Sequence, residues 1–109
     1  MDIVAIKVAR VGGLTKARRM RDLALDLGIT VVPDDACGSE IVSSSLLHFA
    51  ASTDPKHLLC YTDLTDYVEV STASGYPERD GGNISASSAP GLGLHAKLEV
   101  LGDPVAVTE

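Results

Sequence analysis

Residues 2–14 read DIVAIKVARVGGL, a run built for burial with a lysine, Lys7, in its middle. On an extended chain Ile3, Ala5, Lys7 and Ala9 share one face, and Val4, Ile6 and Val8 share the other. Two mostly apolar faces predict a strand covered on both sides, as in the parallel sheets of α/β proteins. The small Ala5 and Ala9 leave Lys7 room to extend across a concave interior. An ammonium there is costly to bury unless it has partners or sheds its proton, and a lysine that sheds its proton is a general base. The opposing reading is a lysine that reaches solvent past the strand end, or pairs with Asp34 for structure alone.

Outward from this run, Gly12 and Gly13 break the strand, and Thr15 is expected to cap a helix to about Leu27. Ala17, Met20, Leu23, Ala24 and Leu27 recur at helical spacing, and Gly28 supplies the stop. Residues 29–32 form a second β-branched run that ends in Pro33, Asp34 and Asp35. Ser39 is placed to cap a second helix to about Ser52, burying Val42, Leu46, Phe49 and Ala50, with Asp54 and Pro55 as its stop. Residues 57–62, HLLCYT, then read as a third strand. The alternation β-α-β-α-β predicts parallel strands with right-handed crossovers. From residue 63 the texture changes to turn residues, with a hairpin expected between residues 67–72 and 83–87 and the sequence APGLGL at residues 89–94.

Bulk properties agree with an α/β piece and exclude several functions. The chain has 109 residues, 45% of them apolar but 4% aromatic, which allows one modest domain with an aliphatic core. A net charge of −6 argues against nucleic acid or an anionic membrane as partner. Cys37 and Cys60 match no zinc, redox or disulfide spacing, so a reducing cytoplasm is the expected setting. No apolar run approaches the roughly 20 residues of a membrane span, and no signal-peptide pattern opens the chain. A strand beginning directly after Met1 is the expectation for a chain that starts partway through a larger fold.

Asp34 and Asp35 end the second strand, where catalytic groups of parallel α/β folds collect, and one of them could hold an ammonium or hydroxyl of a substrate. The alternative is an Asx turn after Pro33, or charge near the next helix. Asp63, just past the third strand, has the same two readings. Gly12 and Gly13 are a tight turn rather than a phosphate cradle, since no GxGxxG or GxxxxGK[ST] pattern surrounds them. Lys16, Arg18, Arg19 and Arg21, on a helix that also carries Asp22 and Asp26, are expected to form a solvated outer face. His48 is expected to pack or hydrogen-bond on its helix, and none of His48, His57 and His95 has a metal-ligand spacing.

In combination these segments become specific. IKVARVGGLTKARRMRDLALDLGI at residues 6–29, DDACGSEI at 34–41, LLHFAAS at 46–52 and APGLGL at 89–94 together resemble the C-terminal part of the enolase superfamily. The likeness covers residues 2–105 and rests most on Lys7, Arg10, Gly12 and Gly13 as a Lys-x-x-[KR]-x-Gly-Gly element followed by PGLG. Its branch is the mandelate racemase and muconate lactonizing enzyme group, nearest the cis-3-hydroxyproline dehydratases and hydroxyproline-betaine epimerases.

The resemblance implies an α/β fold: strands six to eight of a (β/α)8 barrel, with their helices, at residues 1–65. Residues 66–109 would be a C-terminal extension that leans on a capping domain. Lys7 would be one of two acid/base groups flanking the substrate α-carbon. In such enzymes a magnesium ion held by three carboxylates neutralises charge on the substrate carboxylate as the α-proton leaves. Return of the proton on the other face gives epimerisation, and loss of a β-hydroxyl gives dehydration. The metal carboxylates and the partner lysine belong to earlier strands of a barrel of roughly 250 residues, so the chain alone is expected to be inactive. Its partners would be a missing barrel half or another copy, and a small amino-acid-like substrate.

Asp34, Asp35, Cys37 and Asp63 would line the substrate side. Cys37 stands where such relatives carry the Trp of DDAWG. A thiol cannot hold a quaternary ammonium as an aromatic face does, which favours a secondary or primary amino acid over a betaine. A second reading is a non-catalytic remnant or interaction module whose exposed strand edges pair with another chain.

Overall fold

Two β-branched stretches pair as the sequence predicts. Strand β1, Ile3–Lys7, lies parallel to strand β2, Thr30–Asp34, in a register that sets Ile3 opposite Thr30 and Lys7 opposite Asp34. The computed structural model describes residues 1–35 and 38–108. Between the strands lie a single helical turn, α1 (Val8–Val11), and the longer α2 (Leu14–Asp26). After β2 comes α3, Glu40–Ala51, whose N-terminus is capped by the Ser39 hydroxyl accepting the Ile41 N–H. That cap is the one the sequence named.

The core forms where α2 and α3 cover one face of the pair. Ile6, Val8, Ala17, Ala24, Val31, Leu46, Phe49 and Leu64 form its buried cluster. Ile6 is 1% exposed, whereas Ile3, on the opposite face, is 49% exposed and Ala5 beside it is open. A strand covered on both faces was expected, so this is a correction: the chain covers one face only. The radius of gyration, 14.6 Å, exceeds the roughly 13 Å of a compact domain this long, in line with an open face.

Four further expectations are corrected. The first strand stops at Lys7 instead of running on through Val8, because Gly12, at φ 88°, closes α1 with its N–H on the Ala9 carbonyl. Thr15 is not a cap. Gly13 takes the N-cap position of α2, and its carbonyl accepts the Ala17 N–H. The third strand is reduced to one parallel bridge between Val31 and Leu58, with the Leu59 N–H on the Val31 carbonyl at 3.1 Å. Its first residue, His57, is spent in a 3-10 turn, Pro55–His57, which Asp54 caps through the Lys56 N–H.

The fourth correction is the hairpin. The Gly81–Gly82 turn closes locally on a bridge between Asp80 and Asn83, so residues 67–72 and 83–87 do not pair. A short antiparallel ladder forms instead between β3, Ala73–Ser74, and β4, His95–Ala96, followed by a last helical turn, α4 (Leu98–Leu101).

PGLG docks this C-terminal segment on α3. The Leu92 carbonyl accepts the Ser44 hydroxyl at 2.7 Å and lies 3.3 Å from His48 Nε2, so His48 bonds across to this segment and not on its own helix. Gly93 has a φ of 70°, and a Cβ there would sit 2.4 Å from Ser87 Cβ, so only glycine fits. At the other end of α3, Glu40 Oε2 accepts both the N–H and the hydroxyl of Thr72, at 3.0 and 2.9 Å. No helix among the described residues is long and apolar enough to cross a membrane.

Candidate active site at the carboxyl ends of the strands

Parallel pairing puts the carboxyl ends of β1 and β2 side by side, and with them Lys7 and Asp34. Lys7 Nζ lies 2.8 Å from Asp34 Oδ2 and donates to the Asp35 carbonyl at 2.9 Å. The Asp34 carboxylate also accepts the Asp35 N–H at 2.8 Å, which folds the turn beyond β2 around the lysine. Lys7 and Asp34 side chains are 31% and 21% exposed, half-sheltered and still reachable. Because Lys7 has the opposite strand parity to buried Ile6, it projects from the open face, not among the helices. An amine in that position can carry a proton to or from a ligand at the mouth of the sheet.

Asp35 is turned inward. Only 5% exposed, it accepts the Ala9 N–H on Oδ2 at 2.9 Å. Cys37 lies outside the described residues.

Asp63 belongs to a second set. Its Oδ1 accepts the Thr65 N–H, the Thr65 hydroxyl and the Tyr76 hydroxyl at 3.0, 2.9 and 3.2 Å. Arg79 Nε lies 3.3 Å from its Oδ2, and the same guanidinium forks onto Asp66, whose carboxyl is held below the usual range by that bond. The Tyr61 and Tyr76 hydroxyls meet at 2.8 Å, and Tyr61 also bonds the Ser43 carbonyl. Burial first, then the Tyr61 hydroxyl and the Asp63 charge, push the Tyr76 phenol up, so it remains protonated. The site residues read from the sequence therefore fall into two groups, Lys7 with Asp34 and Asp35, and Asp63 with tyrosines and an arginine that the sequence reading passed over. Tyr76 and Arg79 in an otherwise Gly- and Ser-rich tail, with Tyr61 just before it, were the available signal.

Arg21 was also misread. It is 8% exposed, donates to the Ser52 carbonyl and hydroxyl at 3.1 and 2.7 Å, and lies 5.5 Å from the centre of the Phe49 ring. It joins α2 to α3, while Lys16, Arg18 and Arg19 are exposed as expected. Magnesium takes clustered carboxylate oxygens, and no group of three or more His, Cys, Asp or Glu able to hold a metal is present among the described residues. These residues do not fit a magnesium site, and no step on them runs through the metal.

The model of the enolase C-terminal domain-like family matches residues 1–100. The chain belongs to that family. As a member of the enolase superfamily it is 42% identical over 106 residues to a cis-3-hydroxy-L-proline dehydratase from Roseibium aggregatum, covering 97% of this chain and 29% of the relative. A mandelate racemase/muconate lactonizing enzyme from Roseovarius nubinhibens superposes with a TM-score of 0.90 at 44% identity, over 96% of this chain and 28% of that one. An enolase-superfamily member from the same organism, complexed with magnesium, gives 0.88 at 35% identity, over 96% and 29%. The chain thus spans less than a third of the length of these relatives.

Proposed function

We propose that this enolase-superfamily chain is the C-terminal part of a dehydratase or epimerase that takes the α-proton from a hydroxyproline-type amino acid, with Lys7 as acid/base group. The observation that carries the reading is the Lys7 side chain at the carboxyl end of a parallel pair, on the face this chain leaves open; its 2.8 Å ion pair with Asp34 is equally what the structural reading of Lys7 predicts. The 42% identity to a cis-3-hydroxy-L-proline dehydratase supports the substrate class. As the neutral amine Lys7 would accept the α-proton, and as the ammonium return it. Asp34 would offer its carboxylate to the substrate amine beside Lys7, whereas the Asp63 carboxylate is taken up by Thr65, Tyr76 and Arg79 and would act on a substrate only through that set. Asp35 would reach the substrate only through the lysine it holds.

Residues 1–65 would be the sixth to eighth βα units, and residues 66–109 the segment that meets a capping domain. The opposing base and the metal carboxylates would come with the missing strands, magnesium being the ion in the Roseovarius relative. The unpaired edge of β1, rimmed by exposed Met1, Met20, Leu23 and Leu27, is where the preceding unit would add. The same edge supports a second reading, an interaction module that pairs with another chain without chemistry of its own. A reducing cytoplasm is the proposed setting, in keeping with the exposed free thiol of Cys60.

The test is to incubate the purified chain with magnesium and cis-3-hydroxy-L-proline in deuterated water and follow the α-proton by NMR. Alone, the chain is expected to give no exchange above the protein-free blank. Exchange by these 109 residues alone would refute the claim that the site is incomplete.

A further inference from the structure

Lys7 is the N-cap residue of α1, a helix of four residues that has no side-chain cap of its own. A single turn is not stable in isolation, and its first N–H groups need partners. One partner comes from the neighbouring strand's end, 26 positions away: Asp35 Oδ2 takes the Ala9 N–H at 2.9 Å. The Asp35 backbone carbonyl meanwhile takes the Lys7 ammonium at 2.9 Å. One 5%-exposed residue thus grips the lysine at both ends, fixing the backbone just beyond it by its carboxylate and the amine by its carbonyl.

We propose that Asp35 is the positioning residue for Lys7: its carboxylate clamps the strand-to-helix junction and so holds the ammonium beside Asp34. This deepens the catalytic reading of Lys7 but does not need catalysis to be tested.

In the chain itself, the Ala9 amide is expected to exchange with deuterated water as slowly as the β1–β2 ladder amides, and the Lys7 ammonium to give a sharp nitrogen-proton NMR signal. Asp35→Ala speeds Ala9 exchange at least tenfold and broadens the Lys7 signal, while the ladder amides keep their protection. Asp35→Asn retains an acceptor oxygen in the same place and keeps both observables within about threefold of the parent. An Ala9 amide that is unprotected in the parent chain overturns the proposal without any variant. So does Asp35→Ala with both observables unchanged, or a folded Asp35→Asn that loses both. If this test succeeds while α-proton chemistry proves independent of Lys7, the clamp stands and the catalytic reading falls.

Discussion

Replacing Arg21 by Ala should be the most damaging change on the outer side of the molecule. The side chain makes two hydrogen bonds to Ser52, at 2.7 and 3.1 Å, and covers Phe49 with its guanidinium 5.5 Å from the ring centre. A hydrogen bond to a charged group contributes about 1.5–3 kcal/mol, and a partly desolvated cation–π contact about 1 kcal/mol. Ser52 is itself exposed and regains water when the arginine leaves, so the net loss is about 2–3 kcal/mol. At about 4–8 °C per kcal/mol for a domain of this size, Tm should fall by about 10–20 °C. Arg18, three residues earlier and 73% exposed, has its Nε 3.6 Å from Asp22, and Arg18→Ala should cost under about 0.5 kcal/mol. Arg21→Lys keeps the charge but loses the fork and most of the stacking, and should fall between the two. Thermal unfolding followed by circular dichroism reads all three. If Arg21→Ala and Arg18→Ala lower Tm equally, the inter-helix role of Arg21 is wrong.

Two other expectations concern the C-terminal segment. Partial burial pushes the Glu40 carboxyl up, but backbone N–H groups and the Ser71 and Thr72 hydroxyls outweigh it and bring it from 4.5 to about 2. Its stabilisation is therefore complete above about pH 4.5 and is lost as pH falls towards about 2. Discounted for solvent screening it is about 1 kcal/mol, so Glu40→Gln should be weaker than the parent in urea at pH 7 and converge with it near pH 2. A Glu40→Gln deficit that persists unchanged at the acid end would contradict that assignment. Gly93→Ala combines a φ of 70° with a 2.4 Å clash on Ser87 and should loosen the PGLG dock by about 1–3 kcal/mol. Limited proteolysis should cut the variant faster between residues 75 and 94, and equal rates would count against the dock.

Where local chemistry decides the outcome, the sequence was readable. Alternating β-branched residues placed β1 and β2, Ser39 marked the start of α3, and the pairing of their ends brought Lys7 to Asp34. Pattern failed where distant residues decide. Arg21 looks like any surface arginine until Ser52 and Phe49 arrive from another helix. HLLCYT has the composition of a strand, yet its first residue is drawn into the turn at Pro55–His57, and one bridge to β2 is what forms. The 67–87 hairpin was inferred from turn residues, but the two-glycine turn closes within four residues and leaves the flanking segments free. The inward turn of Asp35 was invisible because its partner, the Ala9 amide, is a backbone group that no side-chain pattern reports.

The account rests on Lys7 being the group that moves a proton once the rest of a barrel is present. The direct measurement is α-proton exchange from cis-3-hydroxy-L-proline by a chimera in which this chain replaces the matching 29% of the Roseibium aggregatum dehydratase. Exchange with Lys7 intact, reduced at least about 100-fold by Lys7→Met without loss of fold, is the predicted result. A Lys7→Met chimera that exchanges the proton as fast as its parent would contradict it.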